Sequence, residues 1–190
     1  MSWRTYFAYR SPAAFCSHIH TRRNSGQAAE RANLPVLGLA GDLSARTVVF
    51  DIEPLVAHWD SPQKDLDAGV ARVLREIAAL PAVEMVCFST NSRRRPSVVP
   101  SAAGVRVVYL ASAGKPLRTT AYRGFPRPGV VIGDQIATDG ILARRLGYRF
   151  IQIEPSAGRP AGPRIMSAAG RLMQPLLFHQ DRAAYWFPGP

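Results

Sequence analysis

The sequence predicts an α/β protein in three layers, with helices on both faces of a five-stranded parallel sheet. Three observations predict it. Five short runs rich in Val, Ile and Phe recur between residues 46 and 153. Segments with apolar residues at helical spacing stand among them. The runs are apolar at consecutive rather than alternate positions, as strands covered on both faces require, and such strands belong to parallel sheets.

Residues 46–51 (RTVVFD) form the first predicted strand, rich in the β-branched residues that suit a packed, pleated surface. In residues 64–80, Leu66, Val70, Val73, Leu74, Ile77 and Leu80 recur at helical spacing. Asp65 and Asp67 near the start of that helix complement its dipole. Residues 83–88 (VEMVCF), 105–110 (VRVVYL), 129–132 (GVVI) and 148–153 (YRFIQI) are the second to fifth strands. Residues 138–146 read as a helix that Gly147 stops. Residues 92–104 (SRRRPSVVPSAAG) admit only a short or broken helix, because Pro96 and Pro100 each lack a backbone donor. Residues 1–33 show no clear period, and Ser, His, Arg, Asn and Gly cluster at 17–27. That segment is expected to be a flexible basic tail.

The 190 residues are 47% hydrophobic and 19% charged, which excludes wholesale disorder and allows a substantial core. No apolar run reaches the ~18 residues of a membrane span, and the start of the chain lacks the apolar stretch of a secretory signal. Cys16 and Cys87 are too few for a disulfide scaffold and stand in no metal-ligand spacing; Cys87, within an apolar run, reads as a core residue. A reducing, cytoplasmic setting is the expectation. The formal net charge is +11, and the excess is densest at the ends: five Arg against one Glu over residues 1–33, four Arg against one Asp over 155–190. Such a balance suits nucleic acid, an anionic membrane or a phosphorylated substrate. The lack of a zinc spacing, an aromatic-studded sheet motif and a helix-turn-helix pattern argues against nucleic acid.

In a doubly wound sheet, ligands bind beyond the carboxyl ends of the strands. The first strand ends in Phe50-Asp51-Ile52-Glu53-Pro54. Two carboxylates two residues apart suit nucleophilic attack, cation binding and proton transfer, although acids also follow strands as plain loop residues. The second ends in Ser89-Thr90-Asn91, whose hydroxyls and backbone N–H groups can bind a phosphate oxygen or simply make a turn. Lys115, after the third, is one of two lysines beside 22 arginines. Its compact ammonium suits a point-charge role toward phosphate; the plainer reading is a surface Lys. The fourth is followed by Gly133-Asp134-Gln135-Ile136-Ala137-Thr138-Asp139-Gly140. Its two aspartates offer hard oxygen ligands of the kind Mg²⁺ takes, and Asp139 also fits a helix start. A parallel sheet gathers all four sites at one edge. Cation ligands, a nucleophile, a phosphate-binding hydroxyl and a lysine are the parts that phosphoryl transfer needs.

In this order of motifs the sequence resembles the haloacid dehalogenase superfamily of phosphohydrolases. Within it, residues 46–155 are most similar to the cap-less subfamily IIIA, the YqeG-like branch related to phosphatidylglycerophosphate phosphatases. The residues that carry this are Asp51-Ile52-Glu53, Ser89-Thr90-Asn91-Ser92, Gly114-Lys115-Pro116-Leu117-Arg118, Val131 to Gly140, and Arg144-Arg145-Leu146-Gly147-Tyr148. The resemblance implies a Rossmann-like fold without a large cap domain and an Mg²⁺-dependent phosphatase. Asp51 would form the aspartyl-phosphate, and Ser89, with Thr90 and Asn91 shaping its loop, would bind the phosphoryl group. Lys115 would neutralise charge. Asp51, Asp134 and the main-chain carbonyl of Glu53 would hold the metal, with Asp139 in support. The implied organisation is a basic tail over 1–33, a catalytic domain over 34–155, and a basic amphipathic helix and tail over 156–190.

The chain departs from the family at its second acid, which is Glu53 rather than Asp, and at the following Pro54 and Leu55. The longer arm changes the reach of a proton donor, and a misplacement of about 1 Å can lower a rate ~10²-fold. The alternative expectation is therefore a weak or inactive relative that binds phosphate or a partner. His58, near the same loop, is a further candidate proton shuttle. Arg93, Arg94 and Arg95 follow the phosphate loop and could grip a second anionic group. In residues 164–178, Ile165, Met166, Ala169, Leu172, Met173, Leu176 and Leu177 share a helical face, with Arg164 and Arg171 off it. Such a stripe docks on its own domain, the expected case here, or lies on an anionic bilayer, on the inner membrane face. The aromatic run Tyr185-Trp186-Phe187-Pro188 can anchor either arrangement.

Overall fold

The structure, a computed structural model, describes residues 5–10, 15–20, 45–153, 161–177 and 179–181. Its strands are β1 (Thr5–Arg10), β2 (Phe15–His20), β3 (Thr47–Asp51), β4 (Met85–Ser89), β5 (Arg106–Leu110), β6 (Gly129–Gly133), β7 (Arg149–Ile153) and β8 (His179–Asp181). The α-helices are α1 (Gln63–Ala78), α2 (Ile141–Leu146) and α3 (Ala161–Leu177).

Successive residues of a strand face opposite sides of a sheet, and in β3 both sets are buried. Val48 and Phe50 join Leu66, Val70, Val73, Leu74 and Ile77 of α1 on one face. Val49 joins Leu142, Ala143 and Leu146 of α2 on the other, with Cys87 and Phe150. That double burial is why the strands read as unbroken apolar runs. Burial also pushes the Cys87 thiol up to about 12, in keeping with a core residue.

The five expected strands are all parallel, in the order β5-β4-β3-β6-β7. The α/β fold expected from the sequence, Rossmann-like and, among the described residues, without a cap, is the fold observed. Consecutive strands run outward from β3 in one direction and from β6 in the other, so the order reverses between β3 and β6. Past β7 the sheet continues with β2 parallel, then β1 and β8 antiparallel, making eight strands among the described residues. Two strands thus occupy the segment expected to be a tail. Each is six residues long (TYFAYR and FCSHIH), too short for a period to stand out among polar neighbours, although both are rich in β-prone residues. The remainder of residues 1–33 and the aromatic run at 185–188 lie outside the described residues.

Residues 92–104 form no helix. The stretch is instead tied to α1 by Ser97, whose N–H and hydroxyl both donate to Asp67 at 2.8 Å. Those two donors hold the Asp67 carboxyl below the usual carboxylate range. The helix expected over 138–146 begins as a wide π-type turn at Ile136–Gly140 before tightening into α2. Gly147 ends it with φ +66°, a left-handed conformation that L side chains rarely adopt.

Helix α3 corrects one expectation about how its apolar stripe is used. It packs on the Ile136–Gly140 turn through Ser167 and Gly170, which are buried; a Cβ at Gly170 would lie 3.1 Å from the Ala137 nitrogen. The small residues permit the close approach, while Ile165, Met166, Leu172 and Met173 of the apolar stripe stay exposed. Ile165 is 69% and Leu172 81% exposed, with Arg164 and Arg171 exposed beside them. Among the described residues no helix is long and apolar enough to cross a membrane.

Candidate active site

The reversal of strand order between β3 and β6 opens a crevice at their carboxyl ends. Asp51 is the last residue of β3, and Asp134 directly follows β6. Ser89, the last residue of β4, pairs in register with Asp51. Lys115 comes from the loop after β5, and Asp139 from the turn after β6. Asp51, Ser89, Lys115, Asp134 and Asp139 are all buried.

Lys115 is the centre of the arrangement. Its Nζ donates to Asp51 Oδ1 at 2.6 Å and to Asp139 Oδ1 at 2.7 Å. Asp51, Asp134 and Asp139 each offer a carboxylate oxygen within 4.8 Å of the others. Asp51 Oδ1 also accepts from the Ile52 N–H at 3.0 Å. Burial pushes the Asp51 carboxyl well up, Asp139 adds to the rise, and the Lys115 ammonium opposes it. Burial alone would lower Lys115, but the Asp139 and Asp51 carboxylates prevail and hold it raised. The buried trio offers the set of hard oxygen ligands that a divalent cation takes.

Close backbone approach makes this geometry possible. A Cβ at Gly133 would lie 2.4 Å from Asp139 Cγ, so only glycine lets the Asp139 carboxylate fold back against β6. There Asp139 Oδ2 accepts from the Gln135 N–H and the Thr138 hydroxyl, both at 3.3 Å, leaving Oδ1 for Lys115. Asn91 fixes the opposite wall. Its Oδ1 accepts from the Lys115 N–H at 2.8 Å, and its Nδ2 donates to the Lys115 carbonyl at 3.0 Å.

Glu53 is buried but stands outside the aspartate trio. Its Oε2 accepts from the Thr90 hydroxyl and its Oε1 from the Ser92 hydroxyl, the latter at 2.9 Å. Thr90 and Asn91, expected beside phosphate, thus give their side chains to Glu53 and to the Lys115 backbone. The arginines divide their roles. Arg94 donates to the main-chain oxygens of His58 (2.8 Å), Trp59 (3.2 Å) and Ser61 (2.8 Å), bracing the loop after β3. Arg93 and Arg95 are exposed. His58 Nδ1 is engaged by Asp60.

Tyr122 is the residue that sequence reasoning missed. It is buried, and its hydroxyl lies beside Ser89 Oγ. A lone Tyr in the segment 117–125 carries no local signal of that proximity. No family model matches the chain, and no curated protein or solved structure does so either.

Proposed function

We propose that the chain is an Mg²⁺-dependent phosphomonoester hydrolase of the haloacid dehalogenase type, with Asp51 as its nucleophile. The observation that carries this reading is Lys115 bridging Asp51 and Asp139, with Asp134 alongside, at the reversal of a parallel sheet. Asp51, Asp134 and the main-chain carbonyl of Glu53 are the groups that would hold Mg²⁺, with Asp139 in support. When bound, that ion supplies positive charge to the phosphate oxygens.

In this reading a carboxylate oxygen of Asp51 attacks phosphorus, and the bond from phosphorus to the leaving oxygen breaks. Glu53 gives the leaving oxygen its proton. Water then attacks the phosphorus of the aspartyl-phosphate and gives up a proton to Glu53, releasing phosphate and restoring the Asp51 carboxylate. Ser89 binds the transferred group, and Lys115 neutralises charge on it and on Asp51. The two hydroxyls on Glu53 supply what the longer arm takes away, a fixed position for the carboxyl.

The same two hydroxyls favour a second reading, in which Glu53 is tied down and the chain binds phosphate with little turnover. The substrate class we favour is a phosphorylated lipid head group, as in phosphatidylglycerophosphate. The exposed Ile165 and Leu172 support it, on a helix that has two arginines and no acid and packs on the turn that carries Asp139.

The test is hydrolysis of an aryl phosphate with and without Mg²⁺, for the native chain, Asp51→Asn and Glu53→Asp. Mg²⁺-dependent hydrolysis lost in Asp51→Asn is the expected result. Activity seen only in Glu53→Asp establishes the second reading. Hydrolysis that survives Asp51→Asn refutes both.

A further inference from the structure

On the α2 face of the sheet, a cleft of about 270 Å³ opens between residues 119–127 and the end of α2 with Tyr148. Arg123, Arg127 and Arg145 line it. Among the described residues, none of the three has a carboxylate within ion-pair distance. Arg127 lies over the Tyr148 ring, 5.7 Å from its centroid. Arg145 donates to the main-chain oxygens of Pro116 and Leu117, both at 2.7 Å. The rings of Tyr122, Phe125 and Tyr148 complete the walls, and Tyr122 meets Phe125 edge-on at 5.8 Å.

Like charges repel, and three guanidinium groups around one concavity, with no acid among the described residues that line it, set up a positive field. An anion is the natural complement. A guanidinium fork matches the oxygens of phosphate, and aromatic walls suit a flat, apolar body. The volume is near the lower end of small-molecule sites, roughly 300–1,000 Å³, enough for one ring and one phosphate group.

We propose that the Arg123–Arg127–Arg145 cleft is a second ligand site, specific for a small phosphate monoester with an aromatic or heteroaromatic body. It goes beyond the hydrolase reading and does not depend on it: none of Asp51, Ser89, Lys115, Asp134 and Asp139 lines the cleft, and Tyr122 is the wall that separates it from Ser89.

The test is calorimetric titration of the full chain, without added divalent cation, with phenylphosphonate, which cannot be hydrolysed as an ester. Inorganic phosphate at matched ionic strength is the second arm. The native chain and Asp51→Asn should bind phenylphosphonate alike, and both more tightly than inorganic phosphate. Arg123→Gln with Arg127→Gln should weaken binding about tenfold or more, the loss of charge-assisted hydrogen bonds. Both side chains are exposed, so the double variant should keep its fold, and Arg123→Gln alone provides a milder check. Amide shifts on titration should centre on Gly124 and Gly147. Unchanged affinity in the arginine variants overturns the site. A changed affinity in Asp51→Asn, in either direction, or shifts centred on residues 89–91, assigns the ligand to the acidic edge and also overturns it. Equal affinity for inorganic phosphate overturns the aromatic specificity.

Discussion

Replacing Lys115 with Met removes the ammonium while keeping most of the side-chain volume. The wild-type side chain is 2% exposed, and its partners are nearly as well buried, Asp51 at 10% and Asp139 at 0%. Breaking a buried, hydrogen-bonded ion pair by deleting one partner costs about 3–5 kcal/mol, because the other charge is left behind. Here two are left. Set against a typical domain stability of roughly 5–15 kcal/mol, that is a large fraction. The sign with pH follows from linkage. Without the ammonium, Asp51 and Asp139 face each other in a buried site, and the Asp51 carboxyl, already held up by burial and by Asp139, rises further. A carboxyl raised in the fold binds its proton more tightly there, so the fold is favoured at low pH and loses that advantage as pH rises through the raised value. The deficit of Lys115→Met should therefore be larger at about pH 7 than at about pH 5. Urea unfolding at both values, read from the midpoint at constant slope, measures it. A loss below about 1 kcal/mol at pH 7, the scale of an exposed pair, would refute the reasoning. So would a deficit that does not shrink at pH 5.

Other predictions concern packing and reactivity. Gly133→Ala puts a methyl group 2.4 Å from Asp139 Cγ; thermal unfolding should show a loss of about 1–3 kcal/mol or more from overpacking, and an unchanged midpoint would mean the two groups do not touch. Leu66→Ala removes a side chain with 0% exposure and should cost about 2–5 kcal/mol. Leu172→Ala, at 81% exposure, should stay within about 0.5 kcal/mol; comparable losses would show that something covers the outward face of α3. With its thiol pushed up to about 12 by burial, Cys87 should resist an aromatic disulfide reagent at neutral pH in a Cys16→Ser background and react on unfolding in urea. Rapid reaction of the native chain is the contrary result.

The parts of this protein legible in the sequence are those set by neighbours along the chain. The apolar runs around Val49, Val86 and Val131 announced buried parallel strands because both faces of each are covered. Once the strands were located, Asp51, Ser89, Lys115 and Asp134 followed, because the carboxyl end of a strand is a position along the chain as much as in space. Tertiary structure alone decided what those groups touch. The Lys115 contacts to Asp51 and Asp139 span 64 and 24 residues, and the hydroxyls that hold Glu53 are 37 and 39 residues away. No local period encodes such pairings. The same limit applies to α3. Its stripe of Ile165, Leu172 and Met173 is plain in the sequence, but which side meets the domain depended on how closely the turn at Ile136–Gly140 approaches, and that distance selected Ser167 and Gly170. Amphipathic spacing determined that the helix has two faces; steric fit decided which one the fold uses.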